Sequence, residues 1–481
     1  GSAEKVSVKL GVPTPAHAGL ESNADHSERA VNEQVGEQQE ELPPGRYRLP
    51  DDRPALNENR LKELGIHVYR SDRLVLLTDV DADQVATIPL MADQLFTVLE
   101  GYFGPLPPSP EQSSFQVTGC LMRNVERFRA AGLMPSEEFS FEHGRHHHYQ
   151  FWMFNPEQEY YRRHLAFHEF VHCFMTCECG MIDTPPNWYI EGMAEYFATH
   201  SLSRDETGKT MLEFSVMPSQ YDGYEGWGRI TQLRKQAGFV RTPATAADEI
   251  QELNIRPFRQ AVAVEPGPAL KQLDYSEAWA VCWFLNVHPG FQEHWEPLRH
   301  MRTFRSFTAA AEAAFEQLGS LAEADWLLFS ETICEGFDPE RCFPVHRPDA
   351  EAGEYLSESQ SFEFDVRSDR DWQESPVRLR AGNRVRIMGA GRCQIRGGSE
   401  IWETEPQGIS IDFFKGIPLG TLVCTFVSAD GRKISNRLPV GREMVIAAPY
   451  DSVLWFQIND SSGSRADNEG SFQVTATAAD F

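Results

Sequence analysis

Basic residues are scarce in this chain of 481 residues: 44 Lys and Arg stand against 71 Asp and Glu, so the net charge is −27. Such an acidic protein repels phosphate backbones and anionic lipid headgroups, which argues against nucleic acid and membrane surfaces as partners. The sequence also lacks any apolar run near the roughly 20 residues that a membrane-spanning helix needs. Hydrophobic residues still make up 41% of the chain, so most of it is expected to be globular.

Several common functional motifs are missing as well. The nine cysteines are an odd number, which argues against a fully paired disulfide framework. Cys177 and Cys179 lack a second pair at zinc-finger spacing, so structural or free thiols are favoured over a thiolate metal cluster. The sequence has no G-x-S-x-G, no P-loop and no G-x-G-x-x-G after a strand. It therefore does not favour a serine hydrolase, a nucleotide hydrolase or a dinucleotide-binding enzyme.

Three regions differ in composition and pattern. Residues 1–45 carry eight acidic and three basic residues and no aromatic residue, which predicts a flexible acidic leader. Residues 46–345 alternate short apolar strands with helical patterns, which predicts an α+β domain. Strands are predicted over 73–77 and 148–154, and helical segments over 89–103, 309–318 and 321–329. Residues 350–481 alternate apolar and polar residues at period two, for example over 377–388, between Gly, Asp and Asn turns, which predicts an all-β sandwich domain.

The strongest motif is an H-E-x-x-H sequence formed by His168, Glu169 and His172 on a predicted helix. Residues four apart lie on one face of a helix, so both imidazoles can reach one metal ion. A catalytic zinc ion needs a third protein ligand and an open position for water. Glu169 is then the candidate to take a proton from that water and pass it on.

A second predicted helix follows, with the sequence W-x-x-E-G-x-A-E-Y at 188–196. Together the two motifs resemble the gluzincin metallopeptidases, in which a Glu of the downstream helix is the third zinc ligand. The resemblance implies a zincin-like fold for residues 46–345 and makes Glu191 that ligand. It gives Glu195 the part of an acid that orients a ligand histidine.

The resemblance also implies a donor to the oxyanion of the reaction. In the aminopeptidase branch this donor is a Tyr in a Y-x-K-G-A pattern, and Tyr275 stands in a similar position, although the Lys-Gly pair is replaced. The alternative for Tyr275 is an aromatic residue that faces the core. Tyr221 and Tyr224 are further candidates for this donor.

Other histidines admit two interpretations. The run at 146–148 could bind metal, but a surface or strand-edge run is favoured, because no acidic residue stands at a suitable spacing. His164 lies one turn before His168 and could support a ligand, although such a histidine more often lies on the helix surface.

Near the C-terminus, a polar loop at 459–472 contains Asp460, Asp467 and Asn468. Their oxygens suit a hard cation such as Ca²⁺, and the alternative is a polar hairpin loop. The region from about 377 to the end resembles the calcium-dependent galactophilic bacterial lectin. That resemblance makes these three residues calcium ligands through their side chains, and adds backbone carbonyls from Ser464 and Ile395. The His-Pro pair that contacts sugar in that lectin is not kept, whereas Gln407 matches a glycan-contacting Gln.

These features together predict a zinc-dependent metallopeptidase that carries a calcium-binding, lectin-like module, with a protein or glycoprotein substrate and an extracytoplasmic or secreted location. The main alternative is a non-catalytic protein that uses a gluzincin scaffold and binds a glycan or a partner. A zinc hydrolase that acts on a non-peptide bond is a third interpretation.

Overall fold

The computed structural model describes the chain over the following ranges: 47–135, 141–179, 185–204, 210–219, 228–236, 250–262, 272–296, 298, 304–348, 355–358 and 360–479. The predicted leader (1–45) and both Tyr221 and Tyr224 lie outside these residues. Helices dominate the first part of the described chain and strands the last part. This mixture confirms the predicted α+β class and the β-rich C-terminal region.

A mixed five-stranded sheet opens the fold, in the order β1-β2-β3-β5-β4. Its strands β2 and β3 are buried at every position and mostly apolar, with one threonine each, as expected for strands covered on both faces. The last strand, β4, pairs antiparallel with β5 and forms one edge of the sheet. The strands are β1 (His67–Arg70), β2 (Leu74–Thr78), β3 (Val117–Met122), β4 (Gly144–His147) and β5 (Gln150–Phe154).

Helices α5 (Glu159–Cys179), α6 (Asn187–Ala198) and α9 (Gln272–Val287) pack one against the next behind this sheet and share one core with it. No helix within the described ranges is long and apolar enough to cross a membrane. Up to residue 287 the helices are α1 (Glu58–Glu63), α2 (Ala82–Val85), α3 (Ile88–Phe103), α4 (Val125–Ala130), α5 (Glu159–Cys179), α6 (Asn187–Ala198), α7 (Arg229–Gln236), α8 (Phe258–Ala261) and α9 (Gln272–Val287).

The remaining elements of this part are one small hairpin and three helices. The hairpin comprises β6 (His200–Arg204) and β7 (Thr210–Phe214), and the helices are α10 (Gln292–Trp295), α11 (Phe304–Thr332) and α12 (Pro339–Cys342). Gly319 breaks α11 with φ 56° and ψ −141°, a left-handed conformation that favours glycine. The two helical segments that the sequence predicts on either side of Gly319 correspond to this break.

The last part of the chain forms two antiparallel sheets whose inner faces share a second core. One sheet has the order β12-β11-β18-β10-β16, with β8 also paired to β18, and the other has the order β13-β14-β17-β9, with β15 paired to β14. The strands are β8 (Ser361–Arg367), β9 (Gln373–Leu379), β10 (Arg384–Ala390), β11 (Cys393–Arg396), β12 (Trp402–Thr404), β13 (Gln407–Phe414), β14 (Ile417–Ser428), β15 (Leu438–Pro439), β16 (Glu443–Ala447), β17 (Ser452–Ile458) and β18 (Glu469–Ala478).

A buried ionic cluster joins α11 to these sheets. The carboxylate of Glu331 accepts hydrogen bonds from Lys415 Nζ, Arg437 Nη2 and Trp372 Nε1, each at 2.9 Å. Burial opposes ionisation of Glu331, but Arg437 and Lys415 outweigh it and hold the pKa of the carboxyl well below its usual range. Burial lowers the pKa of Lys415 to about 8 despite the partnership with Glu331. The helical part and the sheets therefore meet through charge pairing inside the protein.

A second junction is centred on His346, whose Nε2 lies 2.5 Å from Asp325 of α11 and whose Nδ1 lies 3.3 Å from Glu374 of β9. Burial works against the charged imidazole, but the two carboxylates dominate and raise the pKa of His346 to about 10. A raised pKa in the folded state stabilises the fold below the unfolded value of about 6.5, and this stabilisation is lost as the pH rises through about 10.

We therefore expect His346→Gln to lower the free energy of unfolding by about 2 kcal/mol near pH 6. The deficit should shrink steadily as the pH approaches 10, because the wild type then loses the same interaction. Chemical denaturation at several pH values measures this, with the exposed His67→Gln as control. A deficit that does not change with pH would contradict the assigned role.

Candidate metal centre

Helix α5 presents a stripe of histidines toward α6. His164, His168 and His172 are spaced four residues apart, and all three are buried. Four-residue spacing places side chains above one another on one helix face. The interpretation of His164 as a surface residue is therefore wrong: its exposed fraction is 1%.

Two of these histidines converge with Glu191 of α6. His172 Nε2 lies 3.0 Å from His168 Nε2 and 3.1 Å from Glu191 Oε2, and His168 Nε2 lies 3.3 Å from the same oxygen. Ligands 2.0–2.1 Å from a tetrahedral zinc ion stand about 3.3 Å from one another. The triangle of two imidazole nitrogens and one carboxylate oxygen therefore fits zinc in both chemistry and spacing, and the structure brings together the three predicted ligands.

Glu195 supports this triad from one turn along α6. Its Oε1 lies 3.4 Å from His168 Nδ1, and its Oε2 lies 3.2 Å from His164 Nε2. Arg229 of α7 donates to both carboxylate oxygens, at 2.6 and 3.0 Å. Burial opposes ionisation of Glu195, but Arg229 and His164 keep its pKa well below the usual range. A carboxylate fixed in this way holds the imidazole of His168 with Nε2 directed toward Glu191.

Arg229 gives no signal in the sequence, because its partner Glu195 is distant along the chain and no local pattern marks it. Tyr161 was also missed, although it lies on the same stripe of α5, three residues before His164. Its ring stacks on that of His164 at 6.3 Å. Burial raises the pKa of Tyr161 to about 12, with Arg229 opposing this effect and Glu195 and Glu169 adding to it.

Glu169 is buried, and it faces the edge strand β4. His146 Nδ1 lies 3.5 Å from Glu169 Oε2, and the His146 ring stacks on that of His172 at 4.4 Å. A β-carbon added at Gly144 would lie 2.5 Å from Glu169 Oε1. Gly144 and His146 occupy the same face of the strand, so β4 forms a cradle for this carboxylate.

The cradle predicts a specific effect of Gly144→Ala. The new methyl group collides with the flexible end of Glu169, so we expect stability to change by less than about 1 kcal/mol while the carboxylate is displaced. A displacement of about 1 Å at a reacting group costs as much as 100-fold in rate. Peptide-hydrolysis kinetics alongside thermal unfolding test this, with Gly101→Ala as a control for a helical glycine whose surroundings are open. Equal losses of activity in both variants would contradict the cradle.

The glycine of the E-G pair also has a packing role. A β-carbon at Gly192 would lie 2.4 Å from the carbonyl oxygen of Ala278 and 2.6 Å from Cys282 Sγ, both on α9. Helices α6 and α9 therefore approach each other too closely for a side chain at this position. The contact fixes α6, and with it Glu191, against the core.

Tyr275 lies at the start of α9 and is buried, with an exposed fraction of 2%. Its ring centre is 6.5 Å from that of His168, and the Arg229 guanidinium lies 5.6 Å from the same ring. The structure thus places Tyr275 beside the metal-binding triad. Its part as an oxyanion donor stays a prediction.

Four of the predicted calcium ligands lie between β17 and β18, and Ile395 lies on β11. Ile395, Asp460, Ser464 and Asp467 line one cavity of about 440 Å³. Asn468 Nδ2 donates to Asp460 Oδ2 at 2.9 Å, and its Oδ1 is buried without a hydrogen-bond partner. The carboxylates of Asp460 and Asp467 line the cavity, whereas Asn468 is absent from its lining. Carboxylate and amide oxygens are the donor types that a hard cation prefers.

Gln407 lies apart from this cavity. Its side chain donates to Glu405 at 3.3 Å and accepts from Arg442 Nε at 2.9 Å, and it is absent from the cavity lining. Glycan contact by Gln407 stays a prediction.

The carboxyl of Asp460, in the cavity, is affected by its surroundings. Burial raises the pKa of Asp460, with Arg465 acting against this change and Asp467 adding to it.

Comparison with known proteins finds likenesses among solved structures alone. No family model and no curated protein matches the chain. Among solved structures, 25% of the chain is similar to 95% of a domain described as "EclA N-terminal domain; PllA-like lectin", at 19% identity and a TM-score of 0.20. Another likeness covers 29% of the chain and 98% of PliG, a periplasmic inhibitor of g-type lysozyme from Aeromonas hydrophila, at 11% identity and a TM-score of 0.15. Both likenesses are partial and weak, and they establish neither the fold nor the function.

Proposed function

We propose that the chain is a zinc-dependent metallopeptidase of the gluzincin type, with a zincin-like arrangement of β4, α5 and α6. The observation that carries the proposal is the buried triangle formed by His168, His172 and Glu191, with Glu169 next to it in the cradle of β4. Three protein ligands leave the fourth position of a tetrahedral ion for water or substrate, as in catalytic zinc sites.

Each residue around the proposed zinc ion has a separate part in the proposed reaction. Bound zinc would supply a Lewis acid that polarises the substrate carbonyl and acidifies the attacking water. Glu169 accepts the proton of that water on its carboxylate and returns it to the leaving amine. Glu195, fixed by Arg229, keeps the imidazole of His168 in its liganding orientation. Tyr275 is our candidate to donate a hydrogen bond to the developing oxyanion.

A peptide is favoured as substrate because β4 is an edge strand. An extended peptide can add to such an edge through main-chain hydrogen bonds. Gly144 and His146 of β4 lie against Glu169 and His172, so a peptide bound along this edge would pass close to the proposed metal ion.

The experiment is a screen for proteolysis on bare and glycosylated proteins. We expect fragments from the zinc-loaded protein, loss of cleavage after chelation, and recovery when zinc is restored. Absence of cleavage by the zinc-loaded protein on every substrate, together with binding to a glycan array, would favour the non-catalytic alternative.

A calcium-binding, lectin-like module is the second part of the proposal. It is supported by the common cavity that Asp460, Asp467, Ser464 and Ile395 line. Asp460 and Asp467 would hold the ion with Asn468, and the module would position the glycan of a glycoprotein substrate. Calorimetric titration with Ca²⁺, with Asp460→Asn as the variant, tests this part. A heat signal that is equal in both proteins would count against it.

A further inference from the structure

A second group of metal-ligating side chains lies outside the zinc triad, where β4 turns into β5. Asp52 Oδ2 lies 2.7 Å from His148 Nδ1 and 3.8 Å from His147 Nε2. The three ligand atoms all lie within 4.8 Å of one another. Asp52 comes from the segment before α1, far from the histidines in sequence, so the fold itself brings the carboxylate to the imidazoles.

The backbone at His148 is unusual. Residues 148 and 149 form a two-residue turn between the paired residues His147 and Gln150, and His148 has φ 49°. The first position of such a turn normally holds glycine, because a β-carbon is disfavoured at positive φ. Histidine at this position places its ring 3.9 Å from that of His147. The disfavoured residue therefore completes the donor set, and strained backbone of this kind concentrates at functional sites.

The charges and the exposure of this group suit an ion that enters from solvent. The neighbouring Arg53 is paired with Asp51 at 2.6 Å, and the ion pairs found for Asp52 within the described residues are those with His147 and His148. The side chains of Asp52 and His147 are 43% and 41% exposed, and that of His148 is 18% exposed. An ion bound here would keep open positions for water.

We propose that Asp52, His147 and His148 bind a divalent transition-metal ion. Two imidazoles and one carboxylate are ligands that suit zinc and its neighbours in the first row. The site is separate from the triad on α5 and α6, but β4 connects the two, because His146 of the same strand stacks on His172. A metal ion at the turn would stiffen the strand that borders the proposed catalytic centre.

Zinc counting by elemental mass spectrometry, after equilibrium dialysis against micromolar zinc, separates this site from the triad. Four full-length proteins are compared: wild type, His148→Gly, His172→Ala and the double variant. We expect each single variant to bind about one zinc ion fewer than the wild type, and the double variant about two fewer. A His148→Gly protein that keeps the wild-type count overturns the proposal, whereas a His172→Ala protein that keeps it overturns the triad instead.

Thermal unfolding gives a second test of the turn site. If Asp52, His147 and His148 stabilise the turn without binding metal, added zinc will not raise the melting temperature through them. Because glycine tolerates positive φ, metal-free His148→Gly should melt at or above the wild-type temperature. In the His172→Ala background, added zinc should raise the melting temperature through the turn site. That rise should vanish with His148→Gly and with Asp52→Asn, and it should persist with the exposed control His67→Ala. An equal rise in all of these proteins overturns the proposal.

Discussion

Replacement of Glu169 by Gln is expected to leave zinc bound and to lower peptide hydrolysis by about 100-fold to 10,000-fold, the range that a general acid–base contributes. Glu169 is not one of the three converging ligands, so the metal-binding set stays complete. Glutamine keeps the shape of the side chain in the cradle of Gly144 and His146 but cannot accept the proton of the attacking water. Zinc content and kcat, measured on the same preparation, check both parts of the prediction.

The matched control for this variant is Glu159→Gln, on the same helix α5. Glu159 is half-exposed and pairs with Arg163, away from the triad. It should retain both zinc and activity. Undiminished hydrolysis by the Glu169→Gln protein would remove Glu169 from the mechanism. Loss of zinc from this variant would show that the residue acts on the metal site rather than on the proton.

The largest loss of stability is expected from Glu331→Ala. Three donors, Lys415, Arg437 and Trp372, would each lose a hydrogen bond to this buried carboxylate, and two of them carry charge. Removal of one partner from a buried ion cluster costs about 3–5 kcal/mol, because it leaves charges without compensation. Chemical denaturation measures this change. The loss should also shift the transitions of the helical part and the sheets together, because Glu331 lies between them.

Two further variants test the origin of that effect. Glu331→Gln keeps two hydrogen-bonding atoms but removes the negative charge, so its loss should be smaller than that of the alanine variant. Glu340→Ala removes an exposed carboxylate of α12 and should change stability by less than about 0.5 kcal/mol. A loss below about 1 kcal/mol for Glu331→Ala would mean that the cluster is solvated and contributes little to the junction.

Secondary structure is predicted most accurately from the sequence where a proline or a glycine marks the end of an apolar pattern. The helix predicted over 89–103 is observed as α3 (Ile88–Phe103), because proline begins it and Gly104 ends it with φ 86°. The strand predicted over 73–77 is observed as β2 (Leu74–Thr78). In both cases the local pattern and the tertiary environment agree.

Strand boundaries were predicted wrongly where a turn was not recognised in the sequence. The segment 148–154 is predicted as one strand, but His148 belongs to the turn and β4 precedes it, because a histidine takes the position of the expected glycine. The single strand predicted over 377–388 is also wrong. It is divided between β9 and β10 by a turn that contains Gly382 at φ 83°.

The candidate site also has parts that the sequence predicts and parts that it does not. The spacing of His168 and His172 can be recognised along one helix, and the resemblance of the next helix to the gluzincin motif adds Glu191. The support from Arg229 and the cradle at Gly144 depend on contacts between elements that are distant in sequence. No periodicity encodes such contacts, so they emerge only when α7 and β4 are placed against α5 and α6.

The central claim is that His168, His172 and Glu191 hold one zinc ion. The most direct test is zinc content per chain, by elemental mass spectrometry, for the His148→Gly protein with and without His168→Ala. In this background the turn site does not contribute to the count. We predict about one zinc ion per chain, falling to about none when His168 is replaced. An equal zinc content in both proteins, or none in either after reconstitution, would contradict the proposed metal centre.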